Sequence, residues 1–121
     1  MKLKNSLYTI ARRAYDGGVW RYDVRLDAKH VIYQAHFPER PVTPGVCIIQ
    51  MAKELIEEAT GKRLDVWRLK NVKFLGVMSP VETPVVSWLV SRLTLDDEGY
   101  KAQVEARADD TVLAKISVAL R

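Results

Sequence analysis

His36 stands directly before "FPERPVTPG", a loop in which Pro38, Pro41 and Pro44 fix three φ angles and remove three N–H donors. Such a loop is stiff and holds its neighbours in place. Gly45 closes it, at the start of a helical pattern. Free backbone N–H groups and the positive end of a helix dipole there can receive a carbonyl oxygen or an oxyanion. A histidine beside such a helix start suits acid–base work on a polarised carbonyl compound. A lone loop histidine is more often structural, so the spacing of the whole stretch has to carry the assignment.

The elements that must position these groups follow from periodicity. "SLYTIARRAY" is rich in β-formers, and Gly17-Gly18 reads as the turn of a hairpin. "VWRYDVRLDA" then alternates, with Trp20, Tyr22, Val24 and Leu26 on one face. "HVIYQAHF" is expected to be a short extended stretch, and His30 a turn or strand residue. From Thr43 the period changes. Thr43 is the expected N-cap, Pro44 the first helical residue and Gly61 the left-handed stop. The half "GVCIIQMA" is apolar nearly all round, which predicts a helix wrapped by other elements. Four strands are expected after it and about two before it. One long helix against a meandering antiparallel sheet is an α+β architecture in a single domain, residues 1–121.

"HFPERPVTPGVCIIQMA" resembles the H-F-P-x-R-P-x-x-P-G-V signature of the 3-hydroxyacyl-[acyl carrier protein] dehydratases of hotdog fold, of the FabZ and FabA types. The match takes in His36, Phe37, Pro38, Arg40, Pro41, Pro44, Gly45 and Val46. The wider layout, from about Trp20 onward, agrees with it. The resemblance implies an antiparallel sheet of about six strands wrapped around one long central helix. It implies that His36 is the acid–base group for the C2 proton of a 3-hydroxyacyl thioester. The Gly45 N–H would polarise the thioester carbonyl, and the Val42 carbonyl would orient the imidazole. Arg40 would brace the loop or contact the carrier, and Val46 would line the substrate. The implied partner is acyl carrier protein with its phosphopantetheine arm, in fatty-acid or related polyene synthesis. No bound cofactor and no metal are implied. The implied assembly is a dimer, or an oligomer of dimers, in which the two catalytic side chains of one site come from different protomers.

The chain departs from that pattern where it matters most. The family places a Glu or Asp fourteen residues after the histidine, and Gln50 stands there. An amide can hydrogen-bond a hydroxyl but cannot act as a general acid. The common helix reads E-A-M-A-Q, and this one reads Gln50-Met51-Ala52-Lys53-Glu54, with the two end residues exchanged. Glu54 lies one turn on, about 5–6 Å along the axis. Two expectations compete for it: a displaced catalytic acid, or a polar residue toward the helix's exposed end. A third possibility is a heterodimer, in which a Glu-bearing paralogue supplies the acid. Ala35 replaces the usual glycine before the histidine, and Glu39 adds a charge to the loop.

Composition bounds the rest. The 121 residues are 48% apolar and 28% charged, with a formal charge of +4, which favours acidic partners. Basic residues are scattered, and no nucleic-acid-binding motif is present. Arg68, Lys70 and Lys73 recur on one expected strand, with Arg68 and Lys70 on one face, as a candidate landing surface for the carrier. Cys47 is alone in an apolar run and reads as a core residue in a reducing, cytoplasmic setting. No stretch approaches a membrane span. The function that follows is dehydration of carrier-bound 3-hydroxyacyl thioesters to trans-2-enoyl thioesters. The alternatives are a non-catalytic pseudo-dehydratase, or inactive half of a heterodimer, and then an acyl thioesterase.

Overall fold

The computed structural model describes residues 1–35 and 39–121, so the expectations for His36, Phe37 and Pro38 lie outside the described residues. Six strands form one antiparallel sheet: β1 (Tyr8–Asp16), β2 (Val19–Leu26), β3 (Val66–Phe74), β4 (Val85–Asp96), β5 (Gly99–Ala108) and β6 (Thr111–Leu120). Their spatial order is β1-β2-β4-β5-β6-β3. The sheet is therefore not a simple meander. β3 crosses to the far edge and pairs with β6, and β2 pairs with β4.

The expected hairpin forms, with Asp16 paired to Val19 across Gly17 and Gly18. Both glycines have positive φ, which suits a two-residue turn between right-twisted strands. On β2, Tyr22, Val24 and Leu26 are buried as their alternation predicts. "VIYQA" differs from expectation. It is a short helix, α1 (Val31–Ala35), not an extended stretch. The cause is local capping: His30 Nδ1 accepts the Ile32 N–H at 3.1 Å and the His30 carbonyl accepts the Tyr33 N–H at 3.1 Å. His30 is thus a cap, and capping outweighs the β-preference of Val31 and Ile32.

The central helix, α2 (Gly45–Thr60), has 16 residues, shorter than a long helix, and ends at Gly61 with φ 70°. Its N-cap is Pro44, not Thr43. The Pro44 carbonyl accepts the Cys47 and Ile48 N–H groups, so the helix starts one residue later than predicted. Thr43 is occupied elsewhere, as described below. Cys47, Ile48, Met51, Ala52, Leu55 and Ile56 pack into one core with Val24, Val86, Trp88, Val104, Ile116 and Val118 of the sheet. The helix is not wrapped on all sides. Val46 is 66% exposed, and Ile49 and Gln50 are half-buried, so one face is open in the single chain.

Candidate active site

The loop leading into α2 is held from two directions. The Thr43 N–H donates to the Met78 carbonyl at 2.8 Å. Thr43 Oγ1 and the Tyr33 hydroxyl share a buried hydrogen bond at 2.8 Å. Burial pushes the Tyr33 phenol above its ordinary pKa, and the bond to Thr43 opposes that shift. Pro44 is extended, with φ −63° and ψ 148°, and makes no side-chain cap. The first-turn N–H groups of Gly45 and Val46 precede the first intrahelical bonds and receive no side-chain cap from Pro44. Gly45 is required by space as well as by position. A Cβ there would stand 2.9 Å from two ring carbons of Phe74. Phe74 is itself 49% exposed, so an aromatic wall flanks the helix start. Val42 is half-buried beside this loop, and Arg40 is exposed.

Gln50 and Glu54 lie next to one another, one turn apart. Glu54 is not at an exposed end: it is only 6% exposed. Its carboxylate accepts the Leu3 N–H at 2.8 Å, the Lys4 N–H at 2.7 Å and the Tyr8 hydroxyl at 2.9 Å. Gln50 Nε2 donates to it as well, at 2.8 Å, and to the Met1 carbonyl at 2.6 Å. Glu54 therefore fastens the segment Met1–Lys4 across α2. Burial first, then the charge of Glu54 and the hydrogen bond to it, raise the Tyr8 phenol well above its ordinary range. Glu58 extends the fastening with ion pairs to Lys4 at 2.8 Å and Arg13 at 2.7 Å. The Lys4 hydrogen bond is the largest influence holding the Glu58 carboxyl below its usual range.

Around the helix axis, Gln50 is about 140° from Gly45, because five residues advance 500°. The side chain of Gln50 therefore leaves α2 on another side than the Gly45 Cα, while the Gly45 N–H points along the axis from the helix start. Val46, by contrast, is four residues from Gln50 and shares its side. Gln50 borders a cavity of about 380 Å³ lined also by Met1, Lys2, Lys53 and Arg63. A second cavity of about 380 Å³ lies on the sheet between Asn71, Ser91, Gln103 and Ser117. Of the residues singled out by the sequence, it is lined by Lys73 alone.

On β3, bulges between Val66 and Arg68 and between Leu69 and Asn71 break the alternation. Arg68 and Lys70 are both exposed, and Lys70 borders a surface cleft with Lys101 and Ser117. The sequence reading missed the Leu3, Lys4 and Tyr8 partners of Glu54, and Phe74 beside Gly45. One signal was present. Glu54 occupies the i+7 position of the stripe Cys47–Met51, where an apolar residue is due. Among the described residues, no group of three His, Cys, Asp or Glu could hold a metal ion. No described helix is long and apolar enough to cross a membrane.

Comparison with known proteins supplies the context. A search of curated protein sequences found no match. Among solved structures, the dehydratase heterocomplex ApeI:P from Xenorhabdus doucetiae aligns with a TM-score of 0.71 at 17% identity, over 92% of this chain and 95% of that one. A dehydratase domain from the CurJ module of curacin polyketide synthase aligns at 0.62 and 15%, over 93% of this chain and 41% of that one. A mutant thioesterase from Pseudomonas aeruginosa aligns at 0.61 and 15%, over 90% and 79%. At such identities these likenesses establish the fold, which is the hotdog fold. The profile described as ApeI dehydratase matches residues 12–114 of the sequence, most of its length. The chain belongs to the ApeI-like dehydratase family.

Proposed function

We propose that this chain dehydrates 3-hydroxyacyl thioesters on acyl carrier protein to trans-2-enoyl thioesters, as one half of a heterodimer whose other chain supplies the acid. The observation that carries this is the state of Glu54. Its carboxylate is buried and accepts from four donors of its own fold, which speaks against its serving as a displaced catalytic acid. Gln50 cannot take that role either. His36 removes the C2 proton, and the Gly45 N–H carries the negative charge that builds on the thioester oxygen. A carboxylic acid of the partner protonates the departing 3-hydroxyl, which leaves as water while the C2–C3 double bond forms. The mechanism follows the FabZ and FabA types that the loop resembles.

Two further observations favour a second chain. β3 is an edge strand that exposes Trp67, Leu69 and Phe74 together with Arg68, Lys70 and Lys73, and its unpaired backbone is open to a second chain. The structural relative from Xenorhabdus doucetiae is itself a dehydratase heterocomplex. Val46 and Arg40 line the approach of the acyl-carrier arm in this arrangement.

The test is formation of 2-enoyl product from a 3-hydroxyacyl carrier substrate. The chain is assayed alone and with a Glu-bearing dehydratase paralogue from the same genome. Activity is expected only in the mixture, and His36→Ala should lower it. Full activity of the chain alone overturns the heterodimer, and no activity in any mixture overturns the dehydratase role. Thioester hydrolysis without dehydration would favour the thioesterase alternative.

A further inference from the structure

Thr43 is tied to two parts of the fold that are themselves fixed. Its N–H donates to the Met78 carbonyl at 2.8 Å, and Met78 leads into a turn closed by the Thr83 N–H on the Ser79 carbonyl at 2.7 Å. Its hydroxyl meets the Tyr33 hydroxyl at 2.8 Å, and Tyr33 belongs to the core cluster. Thr43 is 3% and Tyr33 2% exposed, so water does not compete for this bond. Only Pro44 separates Thr43 from Gly45, and its ring fixes φ, here −63°. The Pro44 carbonyl accepts the Cys47 and Ile48 N–H groups at 3.0 and 3.1 Å, so it points along α2. In a trans peptide the N–H points opposite to the C=O, so the Gly45 N–H points out of the helix start. The helix thus sets the direction of this N–H, and Thr43 sets where it stands. Phe74 closes one side, because two of its ring carbons lie 2.9 Å from where a Gly45 Cβ would be.

We propose that Tyr33 and Thr43 are positioning residues: their buried hydroxyl pair holds the Gly45 N–H at the place where a thioester oxygen takes up negative charge. The role of Gly45 rests on the proposed function, whereas the anchoring rests on the hydrogen bonds alone. A donor to an oxyanion is effective only when it is held in place before the charge appears. A displacement of about 1 Å can cost on the order of 10²-fold in rate. Without the hydroxyl pair, Thr43 keeps its one backbone bond to Met78 and can turn about it, carrying Pro44 and Gly45 with it. Both hydroxyls are buried, so they act through Gly45 and not by contact with the substrate.

The experiment uses Tyr33→Phe and Thr43→Val, each of which removes one hydroxyl and keeps the side chain's shape, and Thr43→Ser, which retains the hydroxyl. Pro44-Gly45 is the only Pro-Gly pair in the sequence, so isotope labels on proline carbonyl carbon and glycine nitrogen single out the Gly45 amide in spectra of the full chain. That amide should give one sharp line in the native chain and in Thr43→Ser, and a displaced or broadened line in Tyr33→Phe and Thr43→Val. In the active assembly, kcat should fall about tenfold to hundredfold in each of those two, with KM changed by less than about twofold. The double variant should cost no more than either single one, because the same bond is lost only once. A bond that served stability alone would lower Tm and leave the Gly45 line and the kcat of folded protein unchanged, and that result overturns the proposal. A fall in kcat with the Gly45 line unmoved overturns it as well. If Tyr33→Phe does not fold, Thr43→Val carries the same test from the other end of the bond. Absence of dehydration in every mixture overturns the proposed function, while the spectra still judge the anchoring.

Discussion

Replacing Glu54 with alanine strips the partner from four donors at once. The Leu3 N–H and the Tyr8 hydroxyl are buried and have nowhere else to turn. Each buried donor left unpaired costs about 1–3 kcal/mol, so these two contribute roughly 2–6 kcal/mol. The Lys4 N–H and Gln50 Nε2 are only partly buried and can recover a water, and Gln50 keeps the Met1 carbonyl. An offset applies, because alanine also removes a carboxylate whose desolvation already weakened the native state. The expected net loss is about 3 kcal/mol, a large share of the roughly 5–15 kcal/mol by which a domain is stable. A domain of this size shifts by roughly 4 °C per kcal/mol, so Tm should fall by about 12 °C. Urea unfolding followed by tryptophan emission reads the loss, since Trp88 is fully buried in the core. Tyr8→Phe is the control. It removes donor and bond together and should cost only about 1 kcal/mol. In the double variant that cost should largely vanish, because the hydroxyl no longer has a partner to lose. Hydrogen exchange at Leu3 and Lys4 should accelerate in Glu54→Ala. A loss under about 1 kcal/mol, with those amides still protected, would refute the view that Glu54 is the fastening of residues 1–4.

Three further outcomes are expected. Gly45→Pro should fold, because proline suits the first helical position and Pro44 already has an extended ψ of 148°, although Phe74 must swing aside. It deletes one N–H, so kcat/KM of the active assembly should fall about 10²- to 10³-fold with circular dichroism unchanged. Burial raises the phenols of Tyr8, Tyr22 and Tyr33, Tyr22 being pushed up to about 12. Their raised values favour the protonated native state, so this contribution is intact below the ordinary phenol value of about 10 and is lost as pH climbs past it. Tyrosinate absorbance from these three should therefore appear together with alkaline unfolding rather than before it. Gly99→Ala should destabilise by about 1–3 kcal/mol in denaturant melts, because φ is 114° there and a Cβ would run into the Leu120 carbonyl oxygen.

Much of this architecture could be read from the chain because local signals agreed with one another. The alternation of β2, the Gly17-Gly18 hairpin and the Gly61 stop each specify their own element, and the structure contains all three. What could not be read depends on partners distant in sequence. "VIYQA" looks extended until His30 caps it. Thr43 looks like an N-cap until Tyr33 and Met78 take its side chain and its N–H. The alternation of β3 fails at bulges that only its pairing with β6 defines. Glu54 is the sharpest instance. Its place on the buried stripe was visible, but the donors that permit burial lie about fifty residues away, at Leu3, Lys4 and Tyr8. The proline-rich run before α2 and the glutamine at position 50 are matters of residue type and spacing, so they are legible in the chain itself.

The placement of β3 at the far edge carries a kinetic consequence. Every pairing it makes, from Val66 with Leu120 to Phe74 with Ala114, closes a loop of at least forty residues. Such contacts form late, because the entropy of closing a long loop is lost before any ladder bond is gained. During synthesis, β3 emerges and waits, with Trp67, Leu69 and Phe74 uncovered, until β6 has been made and docked. In that interval its two edges are both open, and a partner chain folding nearby can reach it before β6 does. Expression of two such chains from adjacent messages would place complementary edges together during that interval, so the order of synthesis, and not affinity alone, would set which pairs assemble.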